Sequence, residues 1–286
     1  MPLWKTALLT VLALITFAGN SLLCRAALLQ TDTDPATFTS LRLLSGALVL
    51  WLLVLFSRGR SGAKGSGSWF SALALFVYAV GFSFSYVELS TATGALILFG
   101  AVQISMIGYG LYRGERLHLL QLSGMLLACA GLVGLLLPGL SAPPLMPSLW
   151  MVLSGVAWAL YSLRGRGVAN PLQHTAGNFM LAVPMGLALG LVCWPELSYD
   201  TPGMVYAVLS GALTSGLGYA LWYAVLPSLK ATTAATVQLS VPVIAAFAAV
   251  VFLQEAISLR LAVASIVVLG GIALVLQKPA KGKQST

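Results

Sequence analysis

Charge is nearly absent from this chain. Asp, Glu, Lys and Arg together make up 8% of its 286 residues, against about 25% in an ordinary soluble domain. Hydrophobic residues account for 59%, and the mean hydropathy is +0.94. So few polar groups cannot coat a water-facing surface, which excludes a soluble globule. Disorder is excluded for the opposite reason, because disordered chains combine low hydrophobicity with high net charge. The remaining solvent is a bilayer. A spanning helix takes roughly 20 apolar residues, so about ten spans fill the chain and leave only short connections between them.

Hydropathy, with Gly, Pro and charge as punctuation, predicts an all-α protein with spans near 4–29, 35–57, 69–87, 91–112, 117–137, 148–168, 174–194, 203–226, 231–253 and 259–277. The first of these begins like a signal peptide. Its apolar run is longer than the usual h-region and continues into Asn20 and Arg25, so it reads as a membrane helix. The alternating sides place Lys5, Arg58, Arg60, Lys64, Arg113, Arg116, Arg164, Arg166, Lys230, Lys278, Lys281 and Lys283 together. Asp32, Asp34, Glu88, Glu196, Asp200 and Glu255 lie opposite, and of the seven acids only Glu115 shares the basic side. By the positive-inside rule both termini are cytoplasmic. The formal charge of +8 therefore records orientation, and no nucleic-acid partner is implied. Cys24, Cys129 and Cys193 show no metal or redox spacing and read as small buried hydrophobes.

The sequence repeats at an offset of about 140 residues. Glu115 falls on Glu255, Leu119 on Leu259, Gly131 on Gly271, and Arg25 on Arg164. In each half a span ends at a glutamate and a Gly-rich span follows: GERLHLLQLSGMLLACAGLVGL and QEAISLRLAVASIVVLGGIALVL. The break lies in the proline-rich stretch 138–147, which divides the chain into a first five-helix repeat (1–138), a linker (139–147) and a second repeat with a short basic tail (148–286). Five is odd, so the second repeat enters the membrane upside down. Inverted repeats are a common transporter architecture, with the substrate site near the midplane where the halves meet.

The turn acids after each fourth span (RGER at 113–116, LQEA at 253–256), the closing GxxxxxxG-like spans, Asn20 with Arg25, and Trp158-Ala-Leu-Tyr161 followed by Arg164 resemble the EamA-type branch of the drug/metabolite transporter superfamily. The resemblance covers nearly the whole chain. It implies ten helices and export of small metabolites, typically amino acids, across a bacterial inner membrane, and within the family the chain is similar to amino-acid exporters of broad or aromatic-leaning specificity. Another metabolite, a drug or a lipid-linked compound would suit the same scaffold, because fold does not fix substrate.

Candidate site residues are those whose polarity or shape is out of place in a lipid-facing helix. Thr16, Asn20 and Cys24 share one face of the first span. Arg42 lies roughly 10 Å into the second, where it needs a partner: Asp32, Asp34 or Glu88 in a structural ion pair, or a substrate carboxylate. Arg25, near a helix end, reads either as a snorkelling residue or as part of the transport machinery. Tyr78, Phe82 and Tyr86 form one face of the third span, and Trp158 and Tyr161 lie together on the sixth. Ser215, Tyr219 and Tyr223 align on the eighth, beside Trp222. Packing and interfacial belts explain most such stripes, but Tyr78, Trp158 and Tyr219 lie away from the helix ends. Gln103, Asn178 and Gln238 are span-embedded amides, each with an interhelical hydrogen bond as the structural alternative. Thr232, Thr233, Thr236 and Ser240 can bond to their own backbone. Pro184 and Pro242 interrupt helical hydrogen bonding and are candidate hinges. Ala182, Gly186 and Gly190, and Gly124 with Ala128, read as close-packing faces.

No Asp or Glu lies mid-span, and His118 and His174 lie near span ends. Proton coupling through an embedded acid is therefore not expected, and facilitated movement down the substrate gradient is. The acid-free interior suits zwitterions with apolar or aromatic side chains. There is no HExxH, no GxSxG and no intramembrane aspartate pair, so an enzyme and a cofactor are not expected. A channel competes as a polar-lined bundle, although channels often arise from oligomeric symmetry, whereas an internal inverted repeat favours a monomeric carrier.

Overall fold

A computed structural model of the chain describes residues 2–57, 67–114, 119–137, 142–165, 168–225, 228, 237–238 and 240–276. Among these there are ten helices and no strand: α1 (Leu3–Gln30), α2 (Pro35–Ser57), α3 (Trp69–Ser85), α4 (Thr91–Tyr112), α5 (Leu119–Leu136), α6 (Leu145–Gly165), α7 (Pro171–Val192), α8 (Thr201–Val225), α9 (Ser240–Leu253) and α10 (Leu259–Leu276). Seven are long and apolar enough to cross a membrane, and α3, α9 and α10 are shorter apolar helices. The chain is a multi-pass membrane protein. Large apolar side chains such as Leu3, Phe56, Leu119 and Ile266 are exposed on its outside, while Asn20, Arg42, Ser210 and Ser215 are buried within.

Local chemistry sets the helix starts. Asp34 Oδ1 accepts from the Ala36 and Thr37 amides (2.8 and 2.9 Å) ahead of Pro35. Asn170 Oδ1 accepts from Gln173 N ahead of Pro171, and Asp200 Oδ1 from Gly203 N at α8. Each cap satisfies amides that have no partner inside the helix, and proline follows where its missing N–H costs nothing. At Asp200, burial pushes the carboxyl pKa up, but hydrogen bonds from Gly203 and Thr33 outweigh it and hold the pKa below its usual value. Helix α6 begins at Leu145, earlier than the predicted 148, because Pro147 takes a first-turn position.

Packing follows the repeat. Exchanging α1–α5 with α6–α10 maps the contacts of α1 with α8 and α9 onto those of α6 with α3 and α4. It maps α2–α8 onto α7–α3, and leaves α2–α7, α4–α9 and α5–α10 in place. The halves thus pack as two equivalent repeats, and five helices in each make the second inverted with respect to the first. A backbone detail repeats with them: α4 is followed by Gly114 and α9 by Gln254, and both have positive φ (90° and 55°). The second turn carries the left-handed residue without glycine's freedom from the Cβ clash.

Close approach between helices relies on small residues. A Cβ at Gly211 would lie 2.2 Å from the Arg42 carbonyl oxygen, so α2 and α8 touch backbone to backbone. At the α5–α10 seam, a Cβ on Gly271 would lie 2.6 Å from Gly124 O, in keeping with the expected close-packing role of Gly124 and Ala128. Gly186 packs against Leu43 and Ser40 of α2 and Ala182, one turn earlier, is fully buried, but Gly190 meets nothing within 4 Å and does not belong to that face. Cys24 is buried as expected, whereas Cys129 and Cys193 are only half-buried because α5 and the end of α7 lie at the periphery.

Helix α8 departs from expectation. Its middle, Ser210–Leu217, is π-helical, with i→i+5 in place of i→i+4 hydrogen bonding, which changes which side chains share a face. Glu115, His118, Thr232, Thr233, Thr236 and the basic residues Arg58, Arg60, Lys64, Arg116, Arg166, Lys230, Lys278, Lys281 and Lys283 lie outside the described residues.

Gln254→Gly removes a Cβ clash without altering the turn. It should stabilise the protein by about 1 kcal/mol, read as a higher melting temperature in detergent. Gly211→Ala should lower that temperature, because its methyl group meets backbone.

Candidate functional site

The mid-lengths of α1, α3, α6 and α8 converge on Asn20. Its Nδ2 donates to the Tyr78 hydroxyl (3.1 Å), and its Oδ1 accepts from Ser210 Oγ (2.7 Å) and Thr214 Oγ1 (3.1 Å). Thr214 shares its hydroxyl with the Ser210 carbonyl. The side-chain amide therefore joins α1 and α3 of the first half to α8 of the second, and the π-helical stretch supplies both hydroxyls.

Around this hub lies a continuous aromatic cluster. Trp158 is 4.8 Å from Tyr78, 5.0 Å from Tyr219 and 5.5 Å from Tyr161, centroid to centroid. Phe17 stands edge-on to Trp158, Tyr219 and Trp222, and Phe82 bridges Tyr78 and Tyr86. The cluster encloses a cavity of about 20 Å³ lined by Phe17, Asn20, Tyr78, Phe82, Trp158 and Tyr219, together with Ser21, Leu98, Phe99 and Thr214. That volume holds about one water molecule. Two polar atoms on its wall, Ser21 Oγ and the Tyr219 hydroxyl, are buried and make no hydrogen bond of regular geometry, although the side chains of Tyr86 and Tyr78 respectively lie close to them.

Five of the nine predicted substrate-binding residues, Asn20, Tyr78, Phe82, Trp158 and Tyr219, line this one cavity, and Tyr161 stacks on Trp158 just behind it. Gln103 is buried in α4 but does not reach the cavity. Asn178 Oδ1 accepts from Ser68 N at the start of α3, so it makes an interhelical bond away from the centre. Gln238, half-buried ahead of α9, is also outside the lining. Pro184 faces outward from α7, and Pro242 is buried near the start of α9. Sequence reasoning missed Phe17, Ser210 and Thr214. Phe17 lies three residues from Asn20 and so shares its face, which was the available signal. Ser210 and Thr214, four residues apart, share a face of α8, but which neighbour that face meets is set only by the packing of α8 against α1.

Arg42 is 1% exposed. Of the two alternatives for Arg42, the ion pair with Asp32, Asp34 or Glu88 is not found: Asp34 is occupied capping α2, and Asp32 and Glu88 are exposed. Instead Nε donates to Ser215 Oγ (3.3 Å), and the guanidinium lies 5.0 Å from the Tyr78 ring centroid and 4.9 Å from that of Phe82. Its Nη1 is buried without a partner. Burying an unpaired cation costs several kcal/mol, and each desolvated cation–π contact offsets about 2 kcal/mol of that.

Among the described residues the single ion pair joins Arg25 and Glu255 (3.2 Å), at the end of the bundle that bears the α3–α4 and α9–α10 turns. Arg25 does not snorkel. Its Nη1 donates to the Tyr86 and Val87 carbonyls at the end of α3, while Glu255 Oε2 accepts from the Thr91 amide that opens α4. A cation on a helix C-terminus and an anion on a helix N-terminus both complement helix dipoles. The unit ties three helices of the first half to the turn after α9.

Inverted five-helix halves enclosing a buried polar and aromatic centre are the architecture of a membrane carrier. The EamA-like transporter family model matches residues 4–137 and again 145–277. The chain belongs to that family, and so to the small-molecule transporters of the drug/metabolite transporter superfamily. It is 55% identical over 276 residues to an uncharacterized protein of Pseudomonas aeruginosa, covering 96% of each chain. It is 28% identical over 290 residues to an uncharacterized transporter of Archaeoglobus fulgidus, covering 96% of this chain and 98% of the other. A crystal structure at 19% identity shares the fold, with a TM-score of 0.64 over 94% of this chain and 95% of that one.

A double-mutant cycle with Arg25→Gln and Glu255→Gln should show a coupling of about 0.5–3 kcal/mol in melting experiments. Additive effects would mean that the pair contributes nothing as a unit.

Proposed function

We propose that this protein exports amino acids, with a leaning toward aromatic side chains, across a bacterial inner membrane by alternating access. The cavity enclosed between the two halves carries this reading. Its walls offer aromatic faces for an apolar or aromatic side chain and for an ammonium group, and it holds two buried polar atoms with spare hydrogen-bonding capacity. A volume of about 20 Å³ is too small for an amino acid, so loading requires the walls to part. With both termini cytoplasmic, as the positive-inside rule has it, the Arg25–Glu255 tie lies on the outer side and is the contact to release when the site opens outward.

The moving bodies in this reading are the two five-helix repeats, joined by the proline-rich stretch ahead of α6, which starts at Leu145 and so shortens the linker expected over 139–147, with Pro184 and Pro242 as points of give within α7 and α9. The working unit is a monomer. Export as the direction rests on the family likeness. Among the described residues no Asp or Glu lies within a helical span, which favours transport down the substrate gradient without proton coupling.

Counterflow of a labelled amino-acid panel into proteoliposomes tests the proposal. Saturable, trans-stimulated flux of aromatic and large apolar amino acids is expected, at the same level with and without a pH gradient. Trp158→Ala and Asn20→Ala should reduce it at least tenfold. Accumulation driven uphill by the gradient, an unsaturable conductance, or normal flux in both folded variants would each count against a part of the scheme.

A further inference from the structure

Arg42 is the described charge whose surroundings least account for it. Arg25 uses its donors on Glu255 and two carbonyls, Arg164 reaches Ser71 and Ser68, and Arg260 reaches the carbonyls of Gly134 and Leu137. All three sit near helix ends. Arg42 is buried inside the bundle two turns into α2, is fully charged at any accessible pH, and meets only hydroxyls: its Nε donates to Ser215 Oγ and the Tyr78 hydroxyl lies close by. A buried guanidinium normally rests against a carboxylate, and none of the described acids supplies one.

The rings that stand in for that partner also form the wall of the central cavity. Tyr78 and Phe82 present their faces to Arg42 at 5.0 and 4.9 Å and line the cavity as well. One layer of aromatic rings therefore separates an unneutralised cation, with a buried and unpartnered Nη1, from the central space. Displacing these rings as the site expands brings a ligand anion to the guanidinium, whose planar fork matches a carboxylate in bidentate geometry. No described acid lies near the cavity as a partner for a ligand's ammonium.

We propose that Arg42 reads the carboxylate of the substrate, and that the protein selects its substrates by carboxylate and apolar body while leaving the ammonium unread. The class is then wider than amino acids. It takes in aryl and alkyl monocarboxylates without an amino group and excludes the corresponding amines. This rests on the central cavity being the transport site.

The test uses the full chain in proteoliposomes and in detergent, with L-phenylalanine, 3-phenylpropionate and 2-phenylethylamine as probes. Competition against labelled phenylalanine should rank phenylpropionate level with or above phenylalanine, and phenylethylamine at least tenfold weaker. The two carboxylates should raise the melting temperature and the amine should not. Arg42→Gln should abolish this ranking, and Arg42→Lys, which keeps the charge but loses the fork, should retain a weakened one. An amine that competes equally well, or a ranking that survives in a folded Arg42→Gln protein, overturns the proposal. If Arg42→Gln fails to fold, the wild-type ranking and the Lys variant decide. Should phenylalanine show no counterflow while the carboxylates alone raise the melting temperature, the amino-acid reading falls and the carboxylate reading stands; no shift from either carboxylate overturns the latter too.

Discussion

The side-chain amide of Asn20 bonds to groups on α3 and α8 while sitting on α1, and the arrangement of the bundle's centre depends on that bonding. In hydrocarbon no water is available to satisfy a polar group, so each buried donor and acceptor needs a partner within the protein. Asn20 meets this demand with Tyr78, Ser210 and Thr214. Doing so fixes the Tyr78 ring, which in turn sets the positions of Trp158, Phe82 and Arg42 around it. The π-helical turn in α8 is the backbone's share of the arrangement. Within that stretch Ser210 and Thr214 meet Asn20 while Ser215 reaches Arg42.

The second constraint is the inversion of the repeats. Contacts between the halves map onto one another when the halves are exchanged, yet the side chains filling equivalent places differ. Gly114 and Gln254 occupy the same left-handed turn with unequal ease. Arg25 and Arg164 align in sequence, but one forms a half-buried ion pair and the other bonds to serines. A scaffold that is nearly symmetric in backbone and asymmetric in its contacts is suited to having two ends whose closure can differ.

Much of this was legible in the primary structure. Scarcity of charge required a membrane, span length set the number of helices, the offset of about 140 residues marked a repeat, and five spans in each half made the pair inverted. The midspan positions of Tyr78, Trp158 and Tyr219 marked residues that interfacial anchoring does not explain, and all three line the one central cavity. Asn178 and Gln103 look equivalent to Asn20 in sequence, each an amide within a span, and they are not part of the lining. Nothing local distinguishes an amide that bonds to a neighbouring helix from one that faces a cavity.

The sequence by itself determined the solvent, the number of helices and the repeat, because these follow from apolar area, chain length and a recurring pattern, to which many residues contribute independently. Tertiary structure alone decided that Arg42 faces rings and not Asp34, that Arg25 pairs with Glu255 across 230 residues, and that Phe17 belongs to the central cluster. Each of these depends on which helix faces are brought together in three dimensions. In a protein that is apolar on the inside and the outside alike, hydrophobic patterning carries little of that information.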